Sequence, residues 1–364
     1  MILGPTLSIY IARRFLATAL AMIAGLLAVI VMVDFVEQMR KASDFPNATA
    51  LNLLAISALK APIFIDKAFP FACLFAAMLA LTQLNHRMEL VVARAAGVSA
   101  WQFLAPIALA AALTGALAAA VYNPAAVWAF EKSKDFEVLA FNRKARQNDG
   151  EVKGYWIKQD DGDGVAIINA RVARNRGRLL SDVRVLRLNA NGSIRERIDA
   201  PAMRYADNRW IASNALISTP DSLSRTAERY DLETDLTIDV IDGATASPDS
   251  VDFWDLRKAA RKAALSGNNP NPFLVQFWNL ATLPLFLVAM VLIAATVSLR
   301  FIRFGQMTGL VLSGIMAGFL LYALTQLVTS LGSSGIAPPL VAALSPALVA
   351  ILLGFGVLLN QEDG

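Results

Sequence analysis

One cysteine and one histidine stand in a chain of 364 residues. A lone Cys73 excludes an internal disulfide and any multi-cysteine metal site. In its apolar run it reads as a small buried hydrophobe. His86, with no companion, reads as a surface residue rather than a metal ligand. Catalytic signatures are missing too. No Gly-x-x-x-x-Gly-Lys-Ser/Thr phosphate loop occurs, so ATP is not held in that way. His-Glu-x-x-His, Gly-x-Ser-x-Gly and Cys/His clusters are also absent, and each would have marked a known catalytic geometry. These absences point away from an enzyme and toward a transport or assembly subunit driven by a partner. Charge is sparse: 17% of residues are charged, against about a quarter in an ordinary soluble chain. The net +4 is slight for this length and does not by itself indicate nucleic acid.

What the chain has in excess is hydrophobic length. Apolar residues make up 56% of it, gathered in uncharged stretches. A helix needs about 20 such residues to cross the hydrocarbon of a bilayer. Six stretches qualify: 15–35, 68–84, 101–122, 273–299, 307–331 and 339–359. The first is too long for the core of a signal peptide, and no small-residue cleavage site follows it. The second is preceded by a half-polar run from Leu51 that carries Lys60, Asp66, Lys67, Pro62 and Pro70. A helix through both would overshoot the bilayer at about 1.5 Å per residue. The first half is therefore expected to run on in the outer leaflet, bent near a proline. Lys60 and Lys67 lie seven apart and share a helical face. Either they face a cavity or partner at membrane depth, or they snorkel to headgroups.

Between the third and fourth stretches lies a polar block from about Asn123 to Pro272. Its first part, 125–145, reads as helix. From Tyr155 it changes to short strands at 155–159, 165–169, 179–189, 194–198 and 210–213, separated by Asp/Asn-Gly turn signals. Val183 and Val185 flank Arg184, then Leu186 and Leu188 flank Arg187. That slip in phase predicts a bulge. Short strands with regular turns predict an all-β sandwich or jelly roll. Asp161-x-Asp163-Gly164 has the start of a calcium loop, but Val165 and Val172 stand where ligands would be needed, so a hairpin turn is predicted. A short helix is predicted over 252–265, with Asp252 as its N-cap.

Arg13, Arg14, Arg87, Arg94, Arg300 and Arg303 all fall in the same set of short connections. By the bias of basic residues toward the cytoplasm, that side is inside. The polar block is then outside the cytoplasm, with both termini inside. The predicted fold class is an α-helical membrane protein with six transmembrane helices, three plus three, and an inserted periplasmic all-β jelly-roll-like domain. Its divisions are residues 1–123, 124–271 and 272–364. The amphipathic connection at about 85–97 holds Leu90, Val91 and Val92, which would be exposed unless something covers them.

Three stretches carry a resemblance to a known family: 34–41 (DFVEQMRK), 89–97 (ELVVARAAG) and 335–339 (GIAPP). The whole chain resembles the lipopolysaccharide export permeases of Gram-negative bacteria, and the Glu-Leu-Val-Val run favours the G type over the F type. The resemblance implies a heterodimer with the F-type permease, an LptB-type dimer of cytoplasmic ATPases that uses ATP and Mg, and lipopolysaccharide as substrate. It also implies an LptC-type single-span protein and a periplasmic LptA-type bridge. No cofactor is implied for this chain. Residues 85–97 would be the helix that enters a groove of the ATPase, with Arg87, Glu89, Leu90, Val91, Val92 and Arg94 as its contacts. Arg40 and Lys41, just past the outer end of the first span, match basic positions that meet the phosphorylated part of the lipid. Asp34 stands where a further basic residue would be. In the second span Ile63 follows Pro62 where the family often has lysine, and Lys60 and Lys67 on the same face would substitute. Two readings from other classes are a non-transporting envelope-assembly scaffold and a membrane enzyme acting on lipid.

Overall fold

The computed structural model describes residues 5–42, 45, 48–95, 97–141, 152–162, 164–175, 177–220, 222–237, 241, 247–298 and 307–362. Ala96, Asp163, Arg300 and Arg303 and the end of the predicted helix at 142–145, used in the sequence reading, lie outside them. The chain divides into two compact units. One is 1–140 with 252–254 and 274–364; the other is 141–251 with 255–273.

The first unit is helical. Among the described residues, six helices are long and apolar enough to cross a membrane. Without water to bond to, a spanning backbone has to satisfy its own N–H and C=O groups, and a helix does so internally. Helix α1 is Pro5–Ala42, α2 is Ala50–His86 and α3 is Glu89–Ala95. The third span is α4, Ala100–Leu117, continued through a π-helical turn at Ala118–Tyr122 into α5, Asn123–Ala140. Helix α2 begins at an N-cap where the Thr49 hydroxyl accepts a bond from the Asn52 N–H. It keeps both prolines inside one helix of 37 residues, about 55 Å long. The expected lateral segment is therefore the first half of the same helix.

Small residues let these helices approach closely, as they do where lipid supplies no hydrophobic drive. A Cβ on Gly115 would meet the Cα of Pro284 at 2.6 Å. Gly314 and Gly318 lie against Met78 and Leu74 of α2 in the same way. The core between helices includes Phe15, Ile65, Leu81, Phe103, Leu287 and Met290. Helix α1 buries Ile11, Phe15 and Ala19 in it and packs Met22, Ile23, Leu26, Leu27 and Ile30 against it, while Val29, Met32, Val33 and Val36 are exposed.

The second unit is an antiparallel sheet in sequential order: β1 Val152–Asp160, β2 Gly164–Arg174, β3 Leu179–Asn189, β4 Ile194–Ala206, β5 Arg209–Thr219 and β6 Ser222–Glu233. The Asp161 N–H bonds the Gly164 carbonyl across the β1–β2 turn, so this is a hairpin. The β3–β4 register shifts at Arg187/Leu188, where the phase slip placed a bulge. Strand β6 was not anticipated. Its side chains are mostly exposed, so it lacks the alternation that marks a half-buried strand.

Side-chain bonds show that the sheet curls over. Through β4 and β5, the β6 residue in register with Arg187 is Ser222. On a flat sheet Tyr230 would lie three strands across and eight residues along, about 14 Å and 25 Å away. Yet Arg187 Nη1 donates to the Tyr230 hydroxyl at 3.0 Å. Gln159 Nε2 on β1 also reaches the Glu233 carbonyl at the end of β6, at 2.8 Å. The two ends of one meander therefore face each other, as the two layers of a jelly roll do, and enclose Trp210, Ile168, Ile198 and Leu232.

Helix α6, Leu256–Leu265, follows with Asp255 at its N-cap position. This corrects the expected start at Asp252. The Asp252 carboxylate instead accepts from the Trp254 N–H at 3.0 Å, forming a local turn ahead of the helix. Then come α7 Asn271–Ser298, α8 Met307–Ser333 and α9 Pro339–Glu362.

Arg187 is the centre of a partly buried charge network in the sheet. It donates to Asp161 at 2.5 Å and to Glu196 at 2.6 Å, and all three side chains are less than one-fifth exposed. Burial works against its charge, but the hydrogen bonds to Asp161 and Glu196 outweigh it and hold its pKa above the ordinary value. Burial, then the bond to Glu196, raises the pKa of Tyr230. Arg187→Met leaves two carboxylates facing each other, so it is expected to cost about 3–5 kcal/mol. Protease resistance of the β unit in the purified full chain, against temperature, checks this; Arg187→Lys should recover part of the loss.

Candidate functional site

Two polar regions of the helical unit contain the residues singled out in the sequence. The first is the end of α1 that carries Arg40 and Lys41. Both are exposed, and both bond to Glu37: Arg40 at 2.8 Å and Lys41 at 3.2 Å. The pairs are i,i+3 and i,i+4 neighbours on one helical face. This rim offers two cations and one carboxylate. An anionic headgroup would have to displace Glu37, an exposed partner of the weakly held class. Asp34 sits a turn back and accepts from the buried Gln38 at 3.4 Å.

The lysines of α2 are not equivalent. Lys60 forms an ion pair with Glu137 of α5. The side chains are 18% and 25% exposed, so neither charge is left unpartnered at depth. Lys67 is exposed on the same helix. The shared face expected for the two thus carries one lysine largely covered and one exposed. A polar seam continues beside Lys60. Asn123 donates to Asp66 at 2.5 Å and accepts from the Phe253 N–H at 3.0 Å. The Tyr122 hydroxyl donates to the Pro62 carbonyl at 2.9 Å. Trp254 Nε1 donates to the Ala120 carbonyl at 3.1 Å, inside the π-helical turn. A π turn shifts the i→i+4 ladder and frees carbonyls, and the indole takes one of them. Glu137, Asn123 and Tyr122 were missed in the sequence because their partners lie about 60–80 positions away.

The second region is α3. Leu90 of the Leu90–Val92 run is covered from within the chain. It lies at a cavity of about 20 Å³ with Leu7, Ile11, Leu84, Val98 and Phe103. Val92 is exposed, as are Arg87 and Met88. Glu89 turns toward α1: the Tyr10 hydroxyl donates to its carboxylate at 3.3 Å, and Arg14 lies 3.8 Å from it. Val91 and Arg94 are on the helix, but their side chains lie outside the described residues. Of the six expected contacts, Arg87 and Val92 are open to a partner and Leu90 is structural. His86 is exposed at the end of α2.

Among the described residues, no nucleophile is seen hydrogen-bonded to a base in these two regions, and no group of three or more metal-ligating side chains occurs. The arrangement presents exposed cations beside a carboxylate at one end of α1, and at the other a short helix with Leu90 buried and Val92 exposed.

Comparison with known proteins gives a family. The family model for the lipopolysaccharide export system permease LptF/LptG matches residues 9–360. The lipopolysaccharide export system permease protein LptG of Escherichia coli K12 is 24% identical over 369 residues, covering 97% of this chain and 98% of its own. LptG of Haemophilus influenzae is 25% identical over 376 residues, covering 98% and 99%.

The Lys60–Glu137 pair supplies a test within the site. Glu137→Gln leaves a lysine without its counter-charge, and is expected to cost roughly 2 kcal/mol, between an exposed and a fully buried pair. Adding Lys60→Gln should restore much of that. Thermal unfolding of the detergent-solubilised protein checks both.

Proposed function

Because the chain belongs to the lipopolysaccharide export system permease LptF/LptG family, we propose that it is the G-type permease subunit of an ATP-driven transporter. It extracts lipopolysaccharide from the inner membrane and passes it to a periplasmic bridge toward the outer membrane. The observation that carries this reading is the match over nearly the whole chain, spans and inserted β domain together. A match confined to the spans would have left the β domain without a role.

The chain is a multi-pass membrane protein. On this reading its termini and α3 are cytoplasmic and its β sheet is periplasmic. ATP and Mg are used by an LptB-type dimer that docks against α3. An F-type permease covers part of the apolar surface left open on α1 and α8, where Met32, Val33, Phe319 and Leu320 are exposed. An LptC-type protein and an LptA-type bridge continue the path. Arg40, Lys41 and Lys67 supply cations for the phosphorylated head, while Lys60 acts through its pair with Glu137. Hydrogen bonds between charged groups are the stronger class, but here each is partly solvated, so no single residue is decisive.

Copurification from membranes tests the reading: an ATPase and a second permease in stable complex are the expected outcome. Lipid-modifying activity from the lone chain, or a complex with no ATPase, would replace it with the enzyme or scaffold reading. Orientation is tested at Asn191, exposed in the β3–β4 turn. Asn191→Cys in a Cys73→Ala background should react with an impermeant thiol reagent added from the periplasm. Labelling only after the inner membrane is broken reverses the topology. For the lipid site, Arg40→Glu with Lys41→Glu should lower photo-crosslinking of lipopolysaccharide severalfold while basal ATP hydrolysis of the complex persists. Glu37→Gln, which removes the carboxylate that both cations bond, should raise it.

A further inference from the structure

Arg14 is the hub of a polar cluster that ties three helices together at one end of the helical unit. Its side chain is 16% exposed. Nη1 donates to the Tyr10 hydroxyl at 2.8 Å, one helical turn back on α1. Nη2 donates to Gln83 Oε1 on α2 at 3.2 Å. The same guanidinium lies 3.8 Å from the Glu89 carboxylate on α3, which also accepts from Tyr10 at 3.3 Å. A planar fork with several fixed donors suits such a three-way junction, and a lysine would not reproduce it. Below the clasp, Leu90 is seated near Leu7 and Ile11, so α3 is fixed to α1 by packing as well as by charge.

Past the clasp, Met22, Ile23, Leu26, Leu27 and Ile30 of helix α1 pack against the core of the helical unit. Its buried residues are Ile11, Phe15 and Ala19 near the clasp and Gln38 toward the other end. Beyond Ala19 the exposed residues Val29, Met32, Val33 and Val36 lead to Arg40 and Lys41. A helix of 38 residues is a rod about 57 Å long. A displacement of α3 therefore has a direct route, through Arg14, to the basic rim at the far end of the same helix.

We propose that the Tyr10–Arg14–Glu89 clasp is the mechanical link by which α3 drives α1, with Arg14 as a positioning residue for coupled transport. The link rests on the reading of α3 as the ATPase-docking helix. Glu89 then acts inside its own subunit, and the outward face of α3 and its approach, Arg87, Met88 and Val92, meets the partner. Coupling of this kind needs packed, rigid elements in contact from one site to the other, and the clasp joins α3 to α1 beside the Leu90 packing.

The test uses the complete transporter, purified with its ATPase and reconstituted in liposomes loaded with lipopolysaccharide. Three quantities are read: ATPase subunit retained, basal ATP hydrolysis, and lipid released per ATP hydrolysed. Arg14→Gln should keep the first two near wild type and lower the third about tenfold. Arg14→Lys, which restores the charge opposite Glu89 but not the fork, should recover part of it. Tyr10→Phe should give a smaller loss of the same kind. Normal release per ATP in Arg14→Gln overturns the proposal. So does loss of the ATPase in parallel with release, with no rescue by lysine, because that is what a merely structural arginine would do. A wild-type complex that contains no ATPase overturns the functional reading beneath it, an outcome visible before any variant is made.

Discussion

A polar group taken from water must find its partner inside the protein, and part of the helical unit is arranged by that demand. Lys60 has Glu137, Asp66 has Asn123, and the carbonyl of Ala120 in the π-helical turn has the Trp254 indole. Each bond joins segments far apart in sequence. Leaving any one of these groups unbonded would cost its full desolvation penalty, so the seam fixes how α2, α5 and the 252–254 segment meet. The apolar core then fills in around a register that polar atoms have set.

The same demand explains why some of the molecule was legible in the sequence and some was not. Spans announce themselves by local composition, and the six helices and the inserted β domain were readable from uncharged runs and turn residues. The bulge near Arg187 was readable because a strand has a strict period of two. Strand β6 was not, since an edge exposed on most of its length has no period to show. Helix α2 was expected to bend because prolines remove hydrogen bonds. In the structure both prolines lie inside one helix, and the Tyr122 hydroxyl donates to the Pro62 carbonyl.

The site residues divide along similar lines. Arg40 and Lys41 stand exposed at the end of α1, as their place after an apolar run suggested. What sequence reasoning missed was Glu37 as the internal competitor for both, although it lies within a turn of them. Lys60 was read as a cation available to ligand, and its distant partner was invisible. The α3 stretch was recognised by its pattern. That Leu90 and Glu89 turn inward while Val92 turns outward depends on Tyr10, Arg14 and Leu7, some eighty positions earlier, whose arginine had been used only to orient the chain.

The notch at Gly115 has a consequence for how the protein is made. Its occupant, Pro284, lies about 170 residues further along the chain. At roughly 5–20 residues per second of synthesis, the first three helices wait on the order of ten to thirty seconds with that notch unfilled. During that interval an entire polar domain also has to be produced. A lipid chain or a chaperone helix occupying the vacancy in the meantime must leave before α7 arrives. Assembly of the two halves is thus an exchange reaction as well as a folding step, and slowing translation within the β domain would lengthen the period in which the first half stands alone.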